Sequence, residues 1–529
     1  MKRYSKITPE GSRDFLFEEC DDRRKVEHIL ADLFKENSYR KVITPAIEFF
    51  DVFDSDNMGI EPEEMYKLSD SKGRTTVLRP DNTMPIARMV ATRLSEEDFP
   101  VRLYYSQNVY VRSKDLNGRS NEIAQSGVEF IGDGSTKADL EVISMAIESL
   151  KRCELNSFKI EIGNAAFFNS ILDKMQITST QKADICKLIE GKNYAALGDL
   201  LERIGDTKET RVIRKLPRLF GDVEVIDEAK ALYDEPKALE ALDYLKSVYC
   251  ALCDAGLKKY IMLDLGLVNR SNYYTGVIFH GYAEGSGLTV LSGGRYDNLL
   301  GEFGMPAPAI GFGVEVTAVC EAMREVINVE RPLRIALTKG RLEKSSVSLF
   351  QKMGLDTTQL ENKGRRLILP VDKYEAVLSK APDVITYVEH GVCDIGIVGK
   401  DTIVEHDLNI GKCKFALACP KDTDFFSGYK RKTVASKYPK VAKEFFESKG
   451  MDVAVIKIEG SVELAPLLGL ADGIVDIVET GSTLKENGLE VVEEIFPISA
   501  RVIVNMASMK LRKDEIEGFL SCLEKACSE

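Results

Sequence analysis

Tryptophan is absent and histidine is nearly so, with four His in 529 residues and neither an HExxH motif nor a close His pair. That scarcity speaks against a histidine-built metal centre. Positive charge is also short: 71 Lys and Arg stand against 84 Asp and Glu, a formal net charge of -13. A large nucleic-acid footprint would need the opposite balance, so no nucleic-acid partner is expected. No apolar run reaches the length of a membrane span, and the opening MKRYSKITPEGSRDF is charged from the start and lacks the apolar core of a signal peptide. The eleven cysteines form no framework, and their odd number fits reduced thiols in a cytoplasmic protein. Cys250 and Cys253 make a lone CxxC in the helical-looking stretch 244–255, where buried helix positions are expected rather than zinc or redox chemistry.

What is present is a long chain whose pattern changes part-way. A single core stops growing near ~250–300 residues, so several domains are expected. Upstream of about residue 330 lies a Gly-rich segment, 293–313; downstream, Pro332 introduces a new strand at 333–337. The first half alternates helices with strands of antiparallel character. Val26, Ile29, Leu30, Leu33 and Phe34 recur at helical spacing over 22–37. An extended segment containing Pro45 covers 41–49, strands are expected at 101–111 and 124–131, and 172–259 reads as a mostly helical insertion. Strands resume at 261–265 and 275–282.

Several motifs stand in order along this half: PEGSRD at 9–14, LRPDNT at 78–83, the strand leading to Arg112, AQSGVEFIG at 124–132, YYTG at 273–276 and GGRYD at 293–297. Over almost all of residues 4–325 the chain thereby resembles the catalytic core of histidyl-tRNA synthetase. The resemblance implies an α+β class II aminoacyl-tRNA synthetase-like domain, an antiparallel sheet flanked by helices. It also implies that Asp81, Thr83, Arg112, Gln125, Glu129, Tyr273 and Tyr274 correspond to histidine-pocket positions, with Asp81 in place of the family's glutamate. The catalytic cations are not kept. Ala318 stands where the family's late-motif arginine belongs, Asn269 precedes the Tyr pair with Arg270 one place off, and Lys114 is nearest the motif-two glutamate. Losing two cations, at roughly 3–4 kcal/mol per lost electrostatic contact, argues against tRNA aminoacylation. The pocket is therefore expected to bind histidine as an effector.

After residue 332 the pattern becomes α/β. The strand 333–337 runs into Thr338, Lys339, Gly340 and Arg341 and then a helix over 343–353. Short strands are expected at 384–386 and 395–398, around a helix-like 387–391. Near the end, 471–489 reads ADGIVDIVETGSTLKENGL. Ile474, Val475, Ile477 and Val478 suit a buried parallel strand, and a helix begins near Ser482. An ordinary βα turn with a Ser/Thr cap would explain the turn but neither Asp476 nor Glu479. Carboxylates at a strand end accept hydrogen bonds from vicinal ribose hydroxyls, while Thr480, Gly481, Ser482 and Thr483 offer hydroxyls and backbone N–H groups to a phosphate. The string resembles the 5-phosphoribosyl 1-pyrophosphate (PRPP) signature of phosphoribosyltransferases.

With LTKGRL at 337–342, Arg365–Arg366, DVITYVEHGVCDIGIVGKD at 383–401 and GSVELAPLLGLAD at 460–472, residues 332–512 resemble the short form of ATP phosphoribosyltransferase. That resemblance implies a two-lobed α/β fold like a type II periplasmic binding protein, with lobe one at about 332–424 plus 500–529 and lobe two at about 425–499. It implies that ATP and PRPP meet between the lobes, that Arg341 and Arg365 stabilise the leaving pyrophosphate, and that Mg²⁺ accompanies it. Lys339, Gly340, Lys380 and Asp401 are then ATP or cleft positions, Lys380 replacing a family arginine. In short-form systems a separate synthetase-like subunit supplies activation and feedback control, and such systems assemble into oligomers. The two halves together read as that regulatory subunit (1–330) fused to its catalytic subunit (331–529), with a homo-oligomer and histidine control expected.

Overall fold

The structure is a computed structural model describing residues 6–528 apart from 54–59, 96–97, 113–119, 192, 269–272, 285, 287, 326–330, 400–412, 428–430, 459 and 479–480. The chain divides into two compact units. The first comprises 1–332 with two later segments, 386–394 and 504–516; the second comprises 333–385, 395–503 and 517–529.

A nine-stranded sheet organises the first unit. Its centre is antiparallel: Val101–Tyr110, Glu122–Ile131, Ala309–Glu315, Thr289–Arg295, Val277–Ala283 and Phe158–Asn164 follow one another in that spatial order. Parallel pairs flank that centre, where Arg40–Lys41 joins 101–110 and Ile261–Asp264 joins 158–164. The segment read as one extended piece around Pro45 is divided between two sheets, since Ile47–Phe49 pairs with Thr75–Leu78 instead. Helix Glu18–Glu36 buries Val26, Leu30, Leu33 and Phe34, the stripe its i, i+3, i+4 spacing dictates. The insertion is helical as expected, running through Ser179–Glu190, Tyr194–Ile204, Lys208–Lys215, Glu224–Leu232 and Pro236–Asp254. Cys250 differs from its expectation: on this last helix it is exposed, and Cys253 is partly so, because the buried stripe runs through Leu245, Val248, Tyr249 and Leu252.

The second unit holds two five-stranded sheets. In one, Ile368–Val371, Tyr374–Ser379, Leu333–Thr338, Ile395–Gly399 and Ala500–Val504 lie side by side. In the other the order is Ala454–Lys457, Thr433–Ser436, Gly473–Val478, Cys413–Pro420 and Leu489–Ile498. Strand 413–420 is apolar throughout its middle because both faces are covered: Ala416 and Ala418 face one core, Phe415, Leu417 and Cys419 the other. It belongs to the second sheet, so the change of sheet comes before residue 413 rather than near 424. The 473–478 strand is parallel to 433–436 but antiparallel to 413–420, a mixed setting rather than the purely parallel one its β-branched run suggested.

Residues 384–386 are not a strand. They lie in helix Ala381–Glu389, where Val384 and Val388 are buried one turn apart. Three β-branched residues in a row satisfy a buried helix face as well as a strand, and Pro382 suits a helix's first turn.

The segment 504–516 is held in the first unit by a buried charge cluster. Lys510, on helix Met506–Leu511, is 4 % exposed; its ammonium is ion-paired with Asp264, lies 3.0 Å from Glu161 Oε2 and sits 4.3 Å from the Phe220 ring centroid. Tyr282 OH donates to Glu161 Oε1 at 3.0 Å. Nearby, the buried Asp394 accepts two bonds from Arg331, at 2.7 and 3.0 Å, and one from Ser508 Oγ at 2.7 Å. Removing one partner of a buried ion cluster leaves the others charged and dry, at a cost of about 3–5 kcal/mol. Lys510→Met should therefore lower the unfolding free energy by about that much in urea titrations, and adding Glu161→Gln with Asp264→Asn should recover most of the loss. An unchanged midpoint in the single variant would show that the cluster does not hold this segment.

Candidate functional site

Two groups of side chains stand out, one in each unit. In the first unit, the middle of strand 122–131 puts Glu129 on the sheet face, 1 % exposed. Its opposite neighbour on strand 309–315 is Gly311, which pairs in turn with Gly294 on strand 289–295. This glycine column is a spatial necessity. A Cβ on Gly311 would fall 1.9 Å from Glu129 Oε2, one on Gly313 would meet the Gln125 amide at 2.7 Å, and one on Gly294 would meet the Tyr274 ring at 2.8 Å. Small residues on two strands thus make room for large polar ones on the neighbouring strand and loop.

The polar residues form one network. Thr83 Oγ1 donates to Glu129 Oε1 at 2.8 Å and Tyr296 OH donates to Oε2. Asn82 Nδ2 and Tyr105 OH both donate to Gln125 Oε1, at 2.9 and 3.2 Å. Asp81 Oδ1 accepts from the Met84 N–H at 2.8 Å, which ties the carboxylate to the first turn of helix Thr83–Arg93. The Tyr273 ring lies 4.6 Å from Tyr274 and meets Tyr296 edge-on at 5.8 Å. Asp81, Thr83, Gln125, Tyr273 and Tyr274 are partly exposed around the buried Glu129, so the arrangement is a recess with a carboxylate floor.

Burial dominates its electrostatics. It pushes the Glu129 carboxyl up to about 8, against the pull of the Tyr296 and Thr83 hydrogen bonds and with a further push from Asp81. Burial likewise raises Asp81 to about 6, opposed by the backbone N–H groups of Met84, Thr83 and Asn82. The phenols of Tyr105, Tyr273, Tyr274 and Tyr296 are all held above their ordinary value by the same desolvation.

Six of the seven positions expected here come together. Arg112 does not: it is exposed beyond the end of strand 101–110, its backbone N–H bonded to Glu64 O at 2.8 Å. Asn82, Tyr105, Tyr296 and the glycine column are members that the sequence reading gave no role. Tyr296 lies within GGRYD and Gly311 within the Gly-rich segment, but only strand register reveals that both meet Glu129. Ala318, where a family arginine belongs, is buried in helix Val316–Glu325. Asn269, Arg270 and Lys114 lie outside the described residues.

In the second unit, register gathers the basic candidates at one end of the first sheet. Thr338 pairs with Ser379, and the Lys339 N–H donates to Ser379 O at 2.7 Å, so Lys339, Gly340 and Lys380 all follow the carboxyl ends of adjacent parallel strands. Strand 368–371 runs antiparallel to 374–379, with Leu367 O accepting from Leu378 N at 2.7 Å, which brings Arg365 to the same end. Gly340 has φ +98° and open space where a Cβ would be, so the turn's conformation rather than crowding requires glycine. Arg341 is the first residue of helix Arg341–Lys352; its side chain lies outside the described residues. Carboxyl ends of parallel strands are where open α/β sheets bind ligands.

Asp476 lies near the end of strand 473–478, half-buried, and accepts from the Ile477 N–H at 2.8 Å. Burial raises its carboxyl above the usual value; the Ile477 N–H opposes this, Glu463 adds to it and Lys437 opposes it. Gly481 turns the chain at φ +72°, and Ser482 and Thr483, both exposed, open helix Ser482–Glu486, which Leu484 anchors by burial. Glu479, Thr480 and Asp401 lie outside the described residues. Among the described residues no group of three or more His, Cys, Asp or Glu is gathered to hold a metal ion, and no helix is long and apolar enough to cross a membrane.

Comparison with known proteins bears on both units. The histidyl-tRNA synthetase family model matches residues 11–319, and the ATP phosphoribosyltransferase family model matches residues 380–525. The ATP phosphoribosyltransferase regulatory subunit of Clostridium novyi is 39 % identical over 420 residues, spanning 78 % of this chain and 97 % of its own. A crystal structure from Bacillus halodurans, described as an ATP phosphoribosyltransferase regulatory subunit/histidyl-tRNA synthetase, is 31 % identical with a TM-score of 0.56, covering 72 % of this chain and 94 % of the other. The histidine–tRNA ligase subunit of Alicyclobacillus acidocaldarius has a TM-score of 0.54 at 27 % identity, covering 60 % and 97 % respectively. The chain belongs to the histidyl-tRNA synthetase-like family of ATP phosphoribosyltransferase regulatory subunits, and it carries an ATP phosphoribosyltransferase domain fused behind that regulatory domain.

Proposed function

We propose that the second unit joins ATP to PRPP, giving N1-(5-phosphoribosyl)-ATP and pyrophosphate as the first step of histidine biosynthesis, under control of histidine held by the first unit. The observation that carries this reading is the presence in one chain of both family assignments, each with a polar constellation suited to its role. Adenine N1 supplies the electron pair for the new bond to ribose C1, and the bond from C1 to the pyrophosphate oxygen breaks with its pair leaving on pyrophosphate. The nucleophile is modest, so alignment and stabilisation of the leaving group are the work left to the protein.

Asp476 is the ribose-hydroxyl acceptor in this reading, aided by Glu479. Gly481, Ser482 and Thr483, with Thr480, receive the 5-phosphate. Arg341 and Arg365 stabilise the departing pyrophosphate, and Lys339, Gly340, Lys380 and Asp401 line the ATP side. The shared strand-end location of Lys339, Gly340, Arg365 and Lys380 supports that division of labour. The unit's two five-stranded sheets, with the chain returning from the second to the first at strand 500–504, are consistent with the periplasmic-binding-protein-like fold that the family implies. Mg²⁺ bound with PRPP would be held largely by substrate oxygens and water and would supply charge neutralisation to the leaving pyrophosphate beside Arg341 and Arg365.

Histidine is assigned to the recess around Glu129, with Asp81, Thr83, Gln125, Tyr273 and Tyr274 as its lining; Arg112, exposed beyond the end of strand 101–110, stays outside it. The buried Ala318, standing where aminoacylation needs a cation, favours a sensing role over tRNA charging.

Pyrophosphate release from ATP and PRPP with Mg²⁺ is the direct test, and its absence in the full chain would sink the transferase reading. Arg365→Ala should lower kcat about 10²–10³-fold, the cost of one transition-state charge contact, with a smaller effect on KM for PRPP. A normal turnover number would remove Arg365 from its role. Glu129→Ala should leave pyrophosphate release insensitive to histidine at concentrations that inhibit the parent; equal inhibition of both would put the effector elsewhere.

A further inference from the structure

Glu343 stands where an acid is least expected. It is 8 % exposed in the first turn of helix Arg341–Lys352, directly after the Lys339–Gly340 turn at the cationic end of the first sheet. Substrates with many phosphate charges are repelled by a carboxylate placed there. Part of its role is ordinary: Oε2 accepts from the Gly340 N–H at 3.4 Å, a reach-back that caps the start of the helix. Glutamine makes that cap as well as glutamate does, so capping leaves the negative charge unexplained.

The charge is used by Lys363, whose ammonium is ion-paired with Glu343 Oε1. Lys363 opens a tight turn that the Arg366 N–H closes on Lys363 O at 3.1 Å, with Gly364 at φ +58° and Arg365 third in the turn. The far side of the turn is fixed too, since Leu367 O accepts from the Leu378 N–H at 2.7 Å where strand 368–371 runs beside 374–379. Arg365 therefore lies between two anchors, a buried carboxylate on the helix and the hydrogen-bond ladder of the sheet. Its basic neighbours are engaged in holding the turn: Lys363 with Glu343, and Arg366 with Gln359 Oε1 at 2.9 Å and Asn362 O at 3.4 Å. Arg365 itself is exposed.

We infer that Glu343 is a positioning residue for pyrophosphate departure: through Lys363 it fixes the turn that presents Arg365 to the leaving group, without touching substrate itself. This rests on the transferase reading above and adds to it how Arg365 is held. A guanidinium stabilises a departing anion best when it is in place before the charge develops, and a side chain on a loose turn must first be ordered at the expense of that stabilisation. The ion pair also decides which cation of the turn serves the phosphates. Moving Lys363 onto a substrate would leave the Glu343 carboxylate buried and unpaired, which is costly. Lys363 is thus the anchor, and Arg365, whose planar fork matches two phosphate oxygens at once, is the residue that meets the pyrophosphate.

The test is steady-state pyrophosphate release by the full chain, with ATP, PRPP and Mg²⁺, in Glu343→Gln and Lys363→Met, alone and combined with Arg365→Ala. Glu343→Gln keeps an acceptor for the Gly340 N–H and removes only the charge. Each single variant should lower kcat about 10–10²-fold, the scale of a misplaced contact, with little change in KM for either substrate. On the Arg365→Ala background the same changes should cost no more than roughly twofold further, because the group they position is gone. Normal kcat in both single variants would overturn the inference. So would a loss on the Arg365→Ala background as large as on the parent, which is the result a merely structural ion pair gives. The controls keep the underlying reading separate: a parent that releases no pyrophosphate removes the transferase assignment, and normal turnover in Arg365→Ala removes that residue's role, each taking the positioning role with it. Should Glu343→Gln fail to fold, Lys363→Met, altered at the partly exposed end of the pair, carries the same comparison by itself.

Discussion

A carboxylate buried among hydroxyls, with no cationic partner among the described residues, is the constraint around which the first unit's recess is built. Glu129 sits at the middle of an antiparallel strand with neighbours that give way to it: Gly311 across one strand pair and Gly294 across the next. Those glycines weaken their strands, since each loses more conformational freedom on folding than a residue with a side chain would. The sheet accepts that loss because a single Cβ at Gly311 would collide with the Glu129 carboxyl. Hydroxyls from three separate places, Thr83, Tyr105 and Tyr296, then converge on the space so created.

The transferase unit solves a different problem. Its substrates carry many negative charges, so it needs exposed cations at a shared place instead of a buried acid. Parallel strands supply that place without close packing, because successive strands all point their carboxyl ends the same way. Lys339 and Lys380 follow paired residues of neighbouring strands, and the antiparallel 368–371 strand returns Arg365 to the same edge. Asp476 stands apart from that cluster, on the other sheet of the unit, as a half-buried acceptor beside a glycine turn.

The boundary between the units does not follow chain order. Segments 386–394 and 504–516 fall within the matched transferase region yet belong to the first unit. Lys510 explains why the second is retained there: its ammonium lies between Glu161 and Asp264 on adjacent strands of the nine-stranded sheet, under the Phe220 ring. Asp394 does the same for the first segment through Arg331 and Ser508. Each is a charge too deeply buried to be left unpaired, so each fixes its segment's location.

Much of this was readable along the chain. Helical spacing marked helix 18–36 and the helical insertion, and ordered motifs marked the synthetase-like core and the transferase domain. Those signals are local, carried by periodicity or by residues within about ten positions of one another. Residues 384–386 misled for the same reason, since a three-residue β-branched run fits either a strand or a buried helix face until its neighbours are known. What only the tertiary structure decided were the relations across strands: which glycines face Glu129, that Tyr296 and Thr83 share it, that Arg112 stands outside the recess, that strand 413–420 joins the second sheet, and that Lys510 belongs with Glu161 and Asp264. Register and burial depend on partners distant in the chain, 46 residues apart for Thr83 and Glu129 and 167 for Tyr296 and Glu129, and sequence order holds no record of that pairing.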